Sequence, residues 1–243
     1  MNWCRSVRVR FLFICVLCLA AALAASPARA QSRVGEAVVV KNEVVRVAGS
    51  ASSPINVGDG VLRDETVHTG LDSAARLVMA DSTNLSLGAN ATLKLDRTVF
   101  DDEHTYRDIA IRLTVGAFRF VTGHSEKIAY KITTPVAAIG VRGTILDILS
   151  QRGKTTVVLL EGASRVCATG GPCIELAEPG DTAIVTSTGG KVTIQKTNNP
   201  PWTFAAACST TPGLCTVTNY ADATPATPPV GDGSDPTGML CGR

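Results

Sequence analysis

Strict alternation of apolar with polar or small residues, repeated over short stretches, most narrows what this chain can fold into. Leu85-Ser-Leu87, Ala91-Thr-Leu93-Lys-Leu95, Ile109-Ala-Ile111-Arg-Leu113-Thr-Val115, Phe118-Arg-Phe120 and Val192-Thr-Ile194 each send every second side chain to one face, as half-buried strands do. No stretch after the N-terminus repeats at the helical period. Asp81-Ser82, Gly88, Gly116, Gly123, Gly153, Glu161-Gly162, Gly170-Gly171-Pro172, Pro179-Gly180 and Gly189-Gly190 punctuate the pattern, a turn signal every eight to twelve residues or so. The expectation is an all-β fold, one domain of many short strands in a coiled sheet, a sandwich or a solenoid-like stack. Nothing from Val34 to Lys196 reads as a linker, and that span is long enough for one substantial core.

The run Ile132 to Leu149 is otherwise apolar except for a few small polar residues, yet it places Arg142 between Gly140 and Gly143 and carries Asp147 near its end. Glycines inside such a run allow backbone angles that a side chain forbids, or let another strand approach closely. Pro135 holds Thr134 in an extended conformation. A guanidinium in this setting needs a partner or an exit to water, and the expectation is a buried or half-buried Arg142 paired with a carboxylate, Asp147 being the candidate.

At the N-terminus Arg5, Arg8 and Arg10 precede an apolar stretch from Phe11 to Ala25, and Ala28-Arg-Ala30 follows. That is the layout of a cleavable secretory signal peptide over residues 1–30; the apolar run, about fifteen residues, is shorter than a bilayer span. No later segment is long and apolar enough for a transmembrane helix. The leader carries four of the 23 basic residues and none of the 21 acidic ones, so the formal charge of +2 becomes −2 once it is removed. A near-neutral product without a basic run lacks the electrostatic footprint of a nucleic-acid partner.

The five cysteines beyond the leader, Cys167, Cys173, Cys208, Cys215 and Cys241, all lie in the C-terminal third. Cys167 and Cys173 bracket Gly170-Gly171-Pro172, and Cys208 and Cys215 bracket Pro212-Gly213. Each pair is a candidate for a local disulfide, which an oxidising compartment favours. Their spacings are wider than the usual zinc-ligand pair and no histidine lies near. The β-domain is assigned to 31–196, a cysteine-containing extension to 197–218 and a disordered tail to 219–243, where little remains to bury. Trp202 and Phe204 in the extension are large enough to dock on the domain.

The sequence offers no catalytic constellation. His68, His104 and His124 have polar neighbours, but no Gly-x-Ser-x-Gly elbow or other nucleophile motif accompanies them. Asp101-Asp102-Glu103-His104 lacks the alternating acidic pattern and closing Glu of a calcium loop, and reads as a charged hairpin tip. Neither a metal nor a cofactor is expected, and the chain is read as a non-enzyme.

Three blocks resemble the FecR family of extracytoplasmic domains, named after a bacterial regulator of ferric-citrate uptake. The resemblance runs from Val57-Gly58-Asp59 to Leu160-Glu161-Gly162. It rests on Thr69-Gly70 with Ser73 and the strand Ala75–Met79; on Asp81-Ser82-Thr83 with Leu85-Ser-Leu87; and on Thr134-Pro135, Gly140-Val141-Arg142-Gly143-Thr144 and Asp147. Members commonly carry Asp-Gly-Ser in the second block, so a different turn is expected at Asp81-Ser82-Thr83. The resemblance implies a β-rich periplasmic or secreted module that contacts another cell-envelope protein or surface ligand, through strand edges or loops. Two alternatives accompany it. One is a structural or adhesin-like extracellular protein that self-associates, with Cys241 as a link between copies. The other is a signalling regulator related to ferric-citrate sensing, in which an anti-sigma segment and a membrane helix precede the module; the leader expected here takes that place.

Overall fold

The computed structural model describes residues 32–48, 50–100, 106–126 and 130–216. The leader, the acidic cluster Asp101–His104, the stretch from Tyr220 onward and Cys241 lie outside the described residues. Among the described residues fifteen strands follow one another: β1 (Arg33–Lys41), β2 (Val44–Ala48), β3 (Ala51–Pro54), β4 (Gly60–Leu62), β5 (Thr66–Thr69), β6 (Ala74–Met79), β7 (Asn84–Leu87), β8 (Thr92–Phe100), β9 (Tyr106–Val121), β10 (Tyr130–Thr133), β11 (Ala137–Gln151), β12 (Lys154–Ala168), β13 (Cys173–Leu176), β14 (Thr182–Thr188) and β15 (Lys191–Thr197). A short helix, α1 (Ala205–Thr210), comes last.

All fifteen strands join one sheet, whose main path runs β15-β14-β12-β11-β10-β9-β7-β6-β1-β4. The period-2 pattern sets its inner face: Leu77 and Met79 of β6, Leu85 and Leu87 of β7, Phe118 and Phe120 of β9, Ile139 and Val141 of β11, and Val157 and Leu159 of β12 belong to a single buried cluster. The sheet therefore wraps one core. Three long strands make this geometry, and each changes partners along its length. The first part of β9 pairs with β8 and β10, and its last part with β7 and β11. β11 starts against β10 and ends against β9, while β12 pairs with β14 first and with β13 afterwards.

The change of partner needs a bend. At Gly116, within β9, the backbone takes a φ of 115° and an added Cβ would lie 2.4 Å from the Cα of Ala91. The pairing of β11 with β12 is interrupted between Arg142 and Leu146, where Gly143 and Gly162 face one another at φ values of 64° and 82°. A Cβ on Gly162 would meet the carbonyl of Gly143 at 1.8 Å. Gly116 and Glu161-Gly162, read from the sequence as turns, are thus irregularities inside continuous strands. The physical reason is that a β-bulge needs the same glycine freedom as a turn.

Two further expectations change. Helix α1 lies in the C-terminal extension, where no periodicity marked it; six residues are too few to show one. At Asp81-Ser82-Thr83 the loss of glycine does not remove the left-handed conformation, since Ser82 adopts it with a φ of 67°. The side chain of Asp81, whose Oδ1 accepts the Thr83 amide at 3.0 Å, holds that turn instead.

Glu65 precedes β5 and is fully buried, with Arg46 of β2 at 3.4 Å. Burial pushes its carboxyl above the usual range, against the opposing pull of the Leu62 amide and Arg46. A carboxyl raised in the folded state stabilises fully below its unfolded value, and that contribution is lost as pH rises through the folded one. Urea midpoints measured between about pH 4 and pH 8 should therefore fall more steeply for the parent than for Glu65→Gln; parallel curves would refute the assignment. Thermal melts provide a second check. Gly162→Ala should cost roughly 2 kcal/mol or more and Gly140→Ala less than about 0.5 kcal/mol, because an added Cβ at Gly140 meets only the Arg165 carbonyl, at 3.8 Å.

Candidate functional site: a strapped sheet face

The register of three neighbouring strands aligns Ser86 of β7, Arg119 of β9 and Asp147 of β11 in one cross-strand row. Their neighbours Leu85, Phe118, Phe120, Leu146 and Ile148 face the core, so alternation turns this row to the outer face. There the Arg119 Nε donates to Asp147 Oδ1 at 2.7 Å and Nη2 donates to Oδ2 at 2.9 Å. This planar, two-point pairing is the geometry for which a guanidinium is built. Asp147 is fully buried, and only 12% of the Arg119 side chain is accessible. Arg76 of β6 continues the row beside Ser86, and burial alone pulls its guanidinium below its ordinary value.

What covers the row is the C-terminal extension. Residues 202–216 form a strap across the outer face. The Phe204 amide donates to Asp147 Oδ2 at 2.8 Å, and the Ser86 hydroxyl donates to the Leu214 carbonyl at 2.6 Å. Phe204 and Leu214 are buried with Ala74 in a second small apolar cluster that Ala117, Trp202 and Ala207 border. The Arg119 guanidinium lies 5.8 Å from the centre of the Phe204 ring, within cation–π range. A disulfide, Cys208–Cys215, closes the strap on itself. β11 is buried without a break from Gly143 to Ile148, with the strap covering it at Asp147, and burial on both faces accounts for the near-continuous apolar run there.

Arg142 is the principal correction. Its side chain is exposed, and Asp147 belongs to Arg119. The interrupted pairing between Arg142 and Ile145 puts the two residues out of step, and the guanidinium leaves for water rather than entering the sheet. Gly140 likewise has room around it. Arg119 carried a usable signal that went unread: it is the single charge between Phe118 and Phe120.

The remaining signature residues secure separate turns rather than gathering at one place. Gly58 takes a φ of 89°, and the Asp59 carboxylate accepts the Asn56 amide at 2.7 Å. The Thr69 hydroxyl donates to the Gly88 carbonyl at 2.6 Å, Gly70 packs against Glu43, and Ser73 accepts the Glu43 amide at 3.1 Å. Thr134, ahead of the exposed Pro135, accepts the Ala137 amide at 2.9 Å and so shapes the turn into β11. Val141 is in the core, the Thr144 amide donates to the Thr122 hydroxyl at 2.9 Å, and Glu161 lies opposite Ile145. Asp81 is the second buried carboxylate of the signature. Its Oδ2 accepts the hydroxyls of Ser125 and Tyr130, each at 2.6 Å. Burial, and then the Asp81 charge, push the Tyr130 hydroxyl well above its usual range.

The Ser125 hydroxyl donates a hydrogen bond to the Asp81 carboxylate, while the His124 ring sits 3.2 Å from the Asp81 backbone carbonyl rather than beside the serine in a triad. His68 pairs with the Thr92 hydroxyl at 3.0 Å. Among the described residues no group of His, Cys, Asp and Glu is arranged to hold a metal ion, and no helix is long and apolar enough to cross a membrane. A groove of about 790 Å³ opens beside the β10–β11 turn, lined by Arg112, Thr133, Pro135, Ala138 and Gly170. Its one charge, Arg112, is engaged by Asp96 at 2.7 Å. Burial would raise the Asp96 carboxyl, but Lys94 and Arg112 together hold it below its usual range.

The sequence profile of the FecR protein family matches residues 65–164, from the buried Glu65 to the middle of β12. Residues 65–164 are a FecR domain. No curated protein matches the chain. Two crystal structures of a protein from Parabacteroides distasonis, described as a "putative anti-sigma factor", align over 56% of this chain at 15% identity, with TM-scores of 0.43 and 0.42. The alignment spans 60% of their length. Arg119 and Asp147 lie inside the FecR domain, whereas the strap that caps them lies beyond its matched residues.

Replacing Asp147 separates the two arginines experimentally. Asp147→Ala leaves the Arg119 charge buried without its partner and should cost about 3–5 kcal/mol. Arg142→Met, at an exposed position, should stay within about 0.5 kcal/mol of the parent. Urea denaturation of both purified variants checks this, and equal losses would reverse the assignment.

Proposed function

We propose that this chain is a non-enzymatic FecR-type binding module of the cell envelope, exported to the periplasm or secreted, which contacts another envelope component by strand addition at β15. The observation that carries this reading is the free edge of that strand. β15 is seven residues long and stands at one end of the main path, paired among the described residues with β14 alone. Its hairpin with β14 turns on Gly189-Gly190, both at positive φ, as a two-residue loop of this twist requires. In such a hairpin the flanking residues Thr188 and Lys191 form the first hydrogen-bonded pair. The amides of Val192, Ile194 and Lys196 then point away from β14.

The side chains suit an added strand as well. Val192 and Ile194 are half-buried against the core while Thr193 and Gln195 are exposed, so an incoming segment extends the apolar layer on one face and meets polar groups on the other. Of the two lysines of β15, Lys191 stands next to the hairpin turn and Lys196, towards the other end of the strand, is occupied. The Lys196 ammonium lies 2.7 Å from Asp181 and donates to the Glu175 carbonyl at 3.0 Å. Burial would raise the Asp181 carboxyl, but Lys196 and the amides of Ala177 and Glu178 hold it below its usual range. By contrast β4 has three residues, and β3 has four, ends in Pro54 and is exposed throughout. Short or proline-bearing edges are poor templates for pairing. Disulfide bonding agrees with an oxidising destination.

A photo-crosslinking residue at Thr193 tests the edge directly in the envelope. The expected outcome is one heterologous crosslinked species that disappears in Val192→Pro, which removes an outward amide without touching the β14 ladder. Crosslinks only between copies of the chain would favour a self-associating structural protein instead. A species unaffected by the proline would place the contact elsewhere.

A further inference from the structure

We infer that the Cys208–Cys215 disulfide is a thiol-releasable latch, which keeps the strap 202–216 closed over the Arg119–Asp147 pair and whose reduction opens that face while the sheet stays folded. The two disulfides sit in different mechanical settings. Cys167 and Cys173 are directly opposed residues of β12 and β13, so the hairpin they join is also held by the neighbouring pairs Ser164–Leu176, Arg165–Glu175 and Val166–Ile174. Breaking that bond leaves a hydrogen-bonded ladder in place. The strap, by contrast, pairs with no strand among the described residues.

Its polar contacts with the sheet lie before the bridge and inside the loop that the bridge closes, where the Thr210 carbonyl also accepts the Lys41 ammonium of β1 at 3.5 Å. Before Cys208 comes Phe204, with its amide on Asp147; after the turn comes Leu214, with its carbonyl on Ser86. The bridge makes these one unit. While it is intact, Phe204 and Leu214 are seated together, and losing one anchor leaves the other end tethered within a few residues. Once it is broken, the closing turn must order itself separately, and the restriction of the open state that the bridge imposed is gone. Helix α1, six residues without a capping side chain, adds little persistence of its own. Both cysteines are half-buried rather than sealed in the sheet, at the border of the small cluster that Phe204 and Leu214 form.

The reaction is an ordinary exchange. A dithiol attacks one sulfur as its thiolate, a mixed disulfide forms, and the second thiol of the reductant resolves it; Cys208 and Cys215 leave as two thiols and the reductant as a disulfide. Opening then uncovers a shallow outer face made of Ala74, Ser86, Gly88 and Ala117 around the bidentate Arg119–Asp147 pair, and admits water to a carboxylate that is otherwise sealed. This inference is independent of the β15 edge, which lies on a different strand.

Hydrogen exchange followed by mass spectrometry on the full chain, with and without a dithiol, decides the matter, with reduction verified by alkylation of Cys208 and Cys215. Exchange across 202–216 should accelerate about tenfold or more on reduction, while β9 and β11 retain their protection. Cys208→Ser/Cys215→Ser should show the fast strap without reductant, and Cys167→Ser/Cys173→Ser should respond as the parent does. A strap that stays protected after both cysteines are alkylated overturns the inference. So does a sheet that loses protection together with the strap, or a bridge that the dithiol leaves intact.

Discussion

A carboxylate with no access to water has to be answered in full by its neighbours, and Asp147 is answered by elements far apart in the chain. Two guanidinium donors come from Arg119 on β9 and one amide from Phe204 in the strap. Leaving any of these out would strand charge in a medium that solvates it poorly. The requirement therefore fixes more than one side chain. It sets the register of β9 against β11, because Arg119 must lie directly opposite, and it decides where the C-terminal extension lands. The strap in turn creates the dry environment that makes the requirement so strict.

A second constraint lies in how three long strands serve several partners. β9, β11 and β12 each hydrogen-bond to different neighbours along their two halves, and a regular strand cannot do so without bending. The bends fall at Gly116 and Gly162, where a Cβ would run into backbone, and at Gly143, which faces Gly162 with a φ of 64°. The same bends let one sheet enclose one core, while strand alternation puts the Asp147 row on the opposite side from Phe118 and Phe120. Glycine in this FecR domain is thus a folding instruction at a few contacts rather than a general source of flexibility.

The two disulfides illustrate how identical covalent chemistry differs by context. Between β12 and β13 the bridge reinforces a ladder that exists without it. In the strap it joins two anchors that otherwise act separately on the sheet. The FecR domain and the segment after β15 are connected by the buried Arg119–Asp147 pair, so the chain beyond the family match is part of how the matched residues are satisfied.

Much of this was legible from residues alone. The alternating stretches marked β7 to β9 and β15, the glycines marked places where the backbone departs from regular strand, and the cysteine spacing marked both local bridges, because strand period and short-range closure are local properties of a chain. The partner of Asp147 was not legible. Arg142, five residues away, was the nearer choice in sequence; Arg119, twenty-eight residues away, was the one that register brought opposite. Nor did anything local say whether Gly116 and Gly162 end strands or bend them, or that Ser82 would hold the left-handed turn that glycine usually supplies. Sequence by itself determined the elements and their inward faces, since these follow from each residue's own chemistry. Which charges meet, and what the C-terminal segment covers, were decided only when the tertiary structure set strands side by side and excluded water between them.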